Sequence, residues 1–299
     1  MSLSQNEMGR AFEYGMAASL SRYLPAPIDE TVPAFRARRC FETCSQHEKD
    51  KIVSASSEAT AFLVAHDARL SERNCTISIQ PDRAGMTGDV RDIVVHNATI
   101  DQDIGISAKN RHWAVKHSRL SERIDFGSDW FNIRCSNEYF HEITPIFREL
   151  NTRKHHNEQW RDIPDKKQLY YMPILQAFQN EMHRLFQSQP QDVARGLVQY
   201  LLGNHDYYKV TKENGEVSMM SFNVQHTLKW GSRIPLPNRI IEISQKQDSE
   251  TTLIITFDEG WQISFRIHNA STMVEPSLKF DINIIGLPRT MSRHVIEYG

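Results

Sequence analysis

The spacing of the apolar residues changes abruptly within the first third of this chain, and that change restricts the folds open to it. Phe12, Met16 and Leu20 recur every four residues, as the buried stripe of a helix requires. The spacing predicts a helix over residues 7–24, stopped by Pro25 and Pro27. A second helical region follows over residues 34–70, with a break expected near 54–57. From Thr76 the period drops to two. Residues 76–80 alternate, Pro81-Asp82 and Ala84-Gly85 supply turn chemistry, and residues 92–95 and 104–109 read as successive buried strands.

Helical patterns return over residues 137–150 and 170–187, and a short helix ends at Leu202-Gly203. The last third reads mostly as strand, with a hairpin in which residues 253–257 and 261–267 flank Asp258-Glu259-Gly260. No linker rich in Gly, Ser or Pro divides the 299 residues, so the expectation is one elaborated α/β domain. Within it we expect a core over about 1–150, a helical segment over 151–203 and a strand-rich part over 204–299.

Lys and Arg number 35 and Asp and Glu 37, so 35 − 37 gives −2 and excludes a polybasic, histone-like architecture. Local basicity is still enough for a nucleic-acid groove. No apolar run reaches the roughly 18 residues of a spanning helix, and the first residues lack the basic and apolar regions of a signal peptide, so the cytoplasm is the expected location. Cys40, Cys44, Cys75 and Cys135 then read as reduced packing thiols. Cys40, Cys44 and His47 share a helical face, but no fourth zinc ligand is evident nearby.

Three features converge between Gly88 and Arg123. Acids stand at the entrance of the apolar strand that begins at Asp92. On the next strand, the period of two puts Ser107 and Lys109 on one face, opposite Ile106. Residues 109–123 then hold five Lys and Arg against one acid, Glu122, with Trp113 interleaved. A carboxylate on one strand and a lysine on the next suit magnesium-dependent phosphodiester hydrolysis. The acid holds a hard cation through oxygen, and the ammonium stabilises charge on the phosphate or orients the attacking water. Glu13 lies beside the stripe of the first helix, where its carboxylate either joins such a site or pairs with a base such as Arg10.

Several stretches carry a resemblance. They are Gly9 to Tyr14 (GRAFEY), Gly88 to Ile93 (GDVRDI), Ala114 to Ser121 (AVKHSRLS) and Asp125 to Gly127 (DFG). EITPIF from Glu142, LQAF from Leu175, QYLLG from Gln199, GWQISFRIHNAST from Gly260 and SLKFDI from Ser277 extend it. Together they resemble the HaeIII family of type II restriction endonucleases over nearly the full length, most weakly over residues 25–74. The resemblance implies a PD-(D/E)XK nuclease core, a mixed central sheet flanked by helices, with additional helices and a strand-rich C-terminal part. It also implies a Mg2+ requirement and cleavage of double-stranded DNA within GGCC to blunt ends bearing 5′-phosphate and 3′-hydroxyl.

Carried over by position, Asp92 resembles the metal-binding acid with Asp89 as its competitor, Lys109 the catalytic lysine, and Glu13 the helix acid of such sites. The superfamily places Glu or Asp two residues before the lysine, where this chain has Ser107. A second carboxylate must then come from elsewhere. Asp103 lies about 13 Å along the strand at roughly 3.3 Å per residue, too far. Glu13 is the first substitute and Glu122 the second.

In residues 260–269, Trp261, Ile263, Phe265 and Ile267 fall on one strand face and Gln262, Ser264, Arg266 and His268 on the other. The polar side is either a solvated face or a base reader. As a reader, Arg266 suits guanine O6 and N7, helped by Gln262, His268 or Asn269. Asn110, Arg111, Lys116, His117, Arg119 and Lys279 are candidate DNA contacts, the basic ones to phosphate. A palindromic site is cut most simply by a homodimer. The functional counterpart would be a methyltransferase of the same site in a bacterial cytoplasm. The alternatives are a repair or mobile-element nuclease of the same fold, and a sequence-specific DNA-binding protein without catalysis. Blunt scission at one tetranucleotide excludes the first, and metal-independent binding without cleavage favours the second.

Overall fold

A computed structural model describes residues 3–70, 74–81, 88–110 and 114–299. In chain order its elements are α1 (Gln5–Tyr23), α2 (Val32–Thr43), α3 (Gln46–His66), β1 (Cys75–Ile79), β2 (Ile93–Asn97), β3 (Gln102–Asn110) and β4 (Ala114–Leu120). There follow α4 (Phe126–Phe131), α5 (Asn137–His155), α6 (Met172–Ser188), α7 (Pro190–Leu202), β5 (Tyr207–Lys212) and β6 (Glu216–Phe222). The last strands are β7 (Ile240–Gln245), β8 (Thr252–Phe257), β9 (Gln262–His268), β10 (Leu278–Gly286) and β11 (Arg293–Glu297). The mixed α/β composition expected from the sequence is what these residues form.

The backbone gathers into two compact units, residues 1–112, 202–234 and 290–299 in one and 113–201 and 235–289 in the other. The strand-rich last third is therefore shared between them: β5, β6 and β11 fall in the first, β7 to β10 in the second.

The first unit is a six-stranded sheet of order β1-β2-β3-β5-β6-β11 with three helices. Every neighbouring pair is antiparallel except β3 and β5, which run parallel. Phe12, Met16 and Leu20 of α1 join Ile52 and Leu63 of α3 in one core with Ile93, Val95, Ile104, Ile106, Tyr208 and Val210 of the sheet. Each such side chain contributes roughly 2 kcal/mol on burial. Gly15 lets α1 and α3 approach, since a Cβ there would stand 2.3 Å from Ile52 Cγ2. The helical break expected at 54–57 lies instead at Cys44-Ser45. Ser45 accepts a hydrogen bond from the Glu48 amide and so caps α3, whereas Ser56 is buried inside it.

The second unit holds an antiparallel sheet of order β4-β10-β9-β8-β7. Phe178 of α6 packs on Phe265 and Phe280 of that sheet and on Phe126 of α4, with centroids 5.5, 5.0 and 4.9 Å apart. Ser136 caps α5 and is itself held by buried Glu181, whose carboxylate accepts from the Ser136 amide and hydroxyl, each at 2.7 Å.

Candidate active site

Asp92 closes the turn into β2, where its amide donates to the Ile106 carbonyl and its carbonyl accepts from the Gln80 amide. Its carboxylate therefore emerges beside the middle of β3. There Oδ2 accepts from Ser107 Oγ at 2.9 Å, the Ala108 amide at 2.8 Å and Lys109 Nζ at 2.8 Å, while Oδ1 lies 3.0 Å from the same ammonium. Alternation along β3 sends Ile104, Ile106 and Ala108 into the core and leaves Ser107 and Lys109 on the opposite face. The Asp92 and Lys109 side chains keep 20% and 30% exposure, so the pair is desolvated enough to be strong and open enough to meet a solute.

Asp89 is directed elsewhere. It receives Arg91 through Nε and Nη2, both at 2.8 Å, and through the Arg91 amide at 3.1 Å. Burial alone would raise the Asp89 carboxyl, but those bonds and the Arg91 charge hold it below the usual carboxylate range. Gly105 makes room for this clamp, because a Cβ there would fall 2.2 Å from Arg91 Cδ. Glu13 stands half-buried on α1, and Asp103 engages His96 at 3.0 Å. Glu122, in the second unit, lies 3.6 Å from Arg148. Among the described residues, no group of three His, Cys, Asp or Glu is disposed to hold a metal ion.

What surrounds Asp92 is compatible with a hard divalent cation that keeps most of its waters. Mg2+ keeps several waters and is commonly bound by one or two carboxylates together with substrate phosphates, so it needs no protein cage. A single partly exposed carboxylate whose present partners are an ammonium, a hydroxyl and an amide meets that requirement. A cavity of about 700 Å³ in the same unit, lined among others by Arg69, Arg91, His96, Asp103 and His205, does not include Asp92 or Lys109.

Lys209 is a functional candidate that the sequence reading missed. In the parallel register of β3 and β5 it stands opposite Ser107, on the face that carries Lys109. It is 6% exposed. Burial, and then the charge of Lys109, push its ammonium down to about 8 against the pull of Asp92. Tyr207 is fully enclosed, and burial with the Asp92 charge raises its hydroxyl well above the ordinary tyrosine value.

The candidate DNA residues are brought together unevenly. On the β4-β10-β9 sheet, Arg119, Lys279 and His268 occupy one cross-strand row and His117, Asp281 and Arg266 the next. Arg266 is exposed, and Arg119 donates to Ser277 Oγ at 2.9 Å. Asp281 lies within this face, 2.8 Å from His268 Nε2 in a close approach without aligned hydrogen-bond geometry, and 3.5 Å from Lys279 Nζ. Gln262 donates to Thr256 Oγ1, and the Asn269 amide accepts from the Tyr171 hydroxyl and donates to the Ser271 carbonyl. Asn110 is buried on the core-facing side of β3, the side opposite Lys109. Arg111 and Trp113 lie outside the described residues, as do the side chains of Lys116 and His117.

The model of the HaeIII restriction endonuclease family matches residues 9–288. The Type II restriction enzyme HaeIII of Haemophilus aegyptius is 37% identical over 309 aligned residues, covering 97% of this chain and 97% of that protein. No solved structure matches the chain.

Proposed function

The chain belongs to the HaeIII restriction endonuclease family, and on that premise we propose that Asp92 and Lys109 form its phosphodiester-cleaving centre. It is a type II restriction endonuclease, a site-specific DNA endonuclease. The substrate we assign is double-stranded DNA at GGCC, cut to blunt ends with 5′-phosphate and 3′-hydroxyl. The fold we assign to residues 1–299 is one elaborated nuclease with a PD-(D/E)XK core, to which we assign the six-stranded sheet of the first unit.

The observation that carries this reading is the convergence of Ser107 Oγ, the Ala108 amide and Lys109 Nζ on one partly exposed carboxylate at the junction of consecutive strands. Two of these donors fix the carboxylate's orientation. The third is on a flexible stem and can leave it. Type II restriction endonucleases generally use divalent metal ions, and we assign Mg2+ here, held by Asp92, with Glu13 as a further candidate acid; Asp89 joins them only by leaving its clamp on Arg91. Mg2+ when bound polarises the phosphoryl oxygen and lowers the pKa of a bound water. Lys109, released from Asp92, places its ammonium against a non-bridging phosphate oxygen and stabilises the charge that develops there. Ser107 carries no charge and acts as a donor that orients Asp92.

We assign base reading to Arg266, with Gln262, His268 and Asn269 as candidate supports. Phosphate contact falls to Arg119, Lys279, Lys116, His117 and Arg111, whereas Asn110, buried on the core-facing side of β3, drops out of the candidate DNA contacts. A palindromic substrate calls for two symmetry-related centres and so for a homodimer. The expected counterpart is a methyltransferase of the same site in a bacterial cytoplasm. No helix among the described residues is long and apolar enough to cross a membrane.

The test is digestion of unmethylated plasmid with Mg2+ and with EDTA, followed by sequencing of the ends. Blunt fragments at every GGCC, only with Mg2+, are expected. Lys109→Ala and Asp92→Asn should abolish cleavage while a gel shift on the same site persists. Normal turnover by either variant removes that residue from the mechanism. An intact plasmid with a specific shift makes the protein a binder without catalysis.

A further inference from the structure

Resting on the homodimer of that reading, though not on its catalytic residues, we propose that β11 is the interface for a second copy of this chain: two β11 strands pair antiparallel about a two-fold axis at Val295. The six-stranded sheet of the first unit is closed at one edge and open at the other. Outside β1, the Ile77 amide donates to the Pro27 carbonyl and the Asp29 amide to the Ile77 carbonyl. Outside β11, nothing among the described residues hydrogen-bonds to the strand. Its core-facing side chains hold it in place: Ile296 packs on the core, and His294 stacks on Phe62 of α3 with centroids 4.3 Å apart.

Ladder parity fixes which backbone groups are free. The Ser221 amide donates to the Ser292 carbonyl and the Tyr298 amide to the Gly215 carbonyl, so the even-numbered residues bond to β6. Arg293, Val295 and Glu297 therefore turn their N–H and C=O groups outward. Of the two-fold registers that join outward residues to each other, the one centred on Val295 engages all three on both copies. It sets Val295, 40% exposed, against the partner's Val295, and Arg293 against the partner's Glu297. Edge strands are often guarded by like charges, which repel a second copy. Arg and Glu four residues apart do the reverse, because the same strand run antiparallel brings them together. Both side chains are exposed, and neither has an ion pair among the described residues. Glu297 instead faces Glu216 directly across the ladder, at a non-hydrogen-bonded site where side chains lie closest. The partner's Arg293 would stand on the other side of Glu297 and offset that repulsion. A five-residue edge is small beside the roughly 1,200 Å² of standard interfaces, so the pairing depends on concentration and tightens when both copies hold one palindromic duplex.

Sedimentation velocity over a hundredfold range of concentration, without DNA and on a GGCC duplex in Ca2+, tests this. The variants are Arg293→Glu, Glu297→Arg, the double variant Arg293→Glu/Glu297→Arg, and Val295→Pro. The wild type should dimerise, and more tightly on the duplex. Each single charge variant should raise the dimer dissociation constant at least tenfold, because like charges then meet across the axis. The double variant should return to within twofold of the wild type, and an equimolar mixture of the two single variants should form mixed dimers. Val295→Pro should be monomeric without DNA and still melt cooperatively, since the amide it removes faces away from β6. Should that variant fail to fold, the exposed charge variants carry the comparison. Unchanged dissociation constants in both single charge variants overturn the proposal and leave the homodimer standing with its interface elsewhere. A double variant as weak as the singles also overturns it, since opposite charge is then not what joins the strands. A wild type that stays monomeric on the duplex at every concentration overturns the proposal and the homodimer together. The catalytic centre is judged separately, by cleavage with Lys109→Ala.

Discussion

Lys209→Met changes how stability responds to pH, by an amount that the enclosure of this lysine sets. Burial and the nearby Lys109 charge bring the ammonium from its ordinary 10.5 down to about 8. The native state therefore gives up this proton near pH 8, and the unfolded chain keeps it to about 10.5. Between those values the unfolded state binds more protons, so unfolding becomes less favourable as pH rises, by about 1.4 kcal/mol per pH unit. Integrated from pH 7 to pH 9.5, the gain is about 2 kcal/mol. The thiols of Cys40, Cys44 and Cys135, all raised by burial, act in the opposite sense, because they ionise first in the unfolded chain. They are present in both proteins, so the difference between wild type and Lys209→Met isolates the lysine. Urea unfolding at pH 7, 8, 9 and 9.5 measures it. The wild type should gain about 2 kcal/mol more than the variant across this range, with the curves separating from pH 8 upward. Parallel curves would refute the reasoning, since they mean that Lys209 keeps an ordinary proton affinity when folded.

Other residues give independent outcomes. Asp67 is fully buried and accepts from Arg69 and from the Tyr208 hydroxyl at 2.7 Å, bonds that outweigh burial and hold its carboxyl below the usual range. Asp67→Asn leaves the Arg69 guanidinium buried without its counter-charge and should cost about 3–5 kcal/mol in chemical denaturation. Because that carboxyl is depressed when folded, its contribution is present above the unfolded value of 3.8 and is lost as pH falls through the folded one. Arg266→Ala should lose about 1–3 kcal/mol of discrimination against a single-base variant of the site, read from paired binding curves. Lys279→Ala should weaken binding to every sequence alike and reduce the slope of log affinity against log salt by about 0.9. Glu181→Gln should lower the melting temperature without altering DNA affinity, since its work is to hold Ser136 at the start of α5.

How much of this site a sequence discloses depends on how far apart its parts lie in the chain. Asp92, Ser107 and Lys109 were legible because β2 and β3 are consecutive antiparallel strands, and a period of two fixes which side chains share a face. Lys209 was not, because β3 meets β5 only through a long connection and a parallel register that no local pattern specifies. Its own strand hides it further. All six residues of β5 are buried, so the usual contrast between a wet and a dry face is missing, and a lysine there reads as a solvated end. The signal that could have exposed it is alternation itself, which sets Lys209 opposite Tyr208 and Val210, both core residues. The same distance effect governs the basic face. Arg119, Lys279 and His268 come from three strands, and only the β4-β10-β9 register aligns them. The helical break was misjudged for a local reason: Ser54, Ser56 and Ser57 suggest a turn, yet Ser45 has the capping geometry and Ser56 packs near Gly15, with its Oγ 3.1 Å from where a Cβ would stand. Serine starts a helix only where its hydroxyl reaches a free amide, and that depends on what the helix packs against as much as on composition.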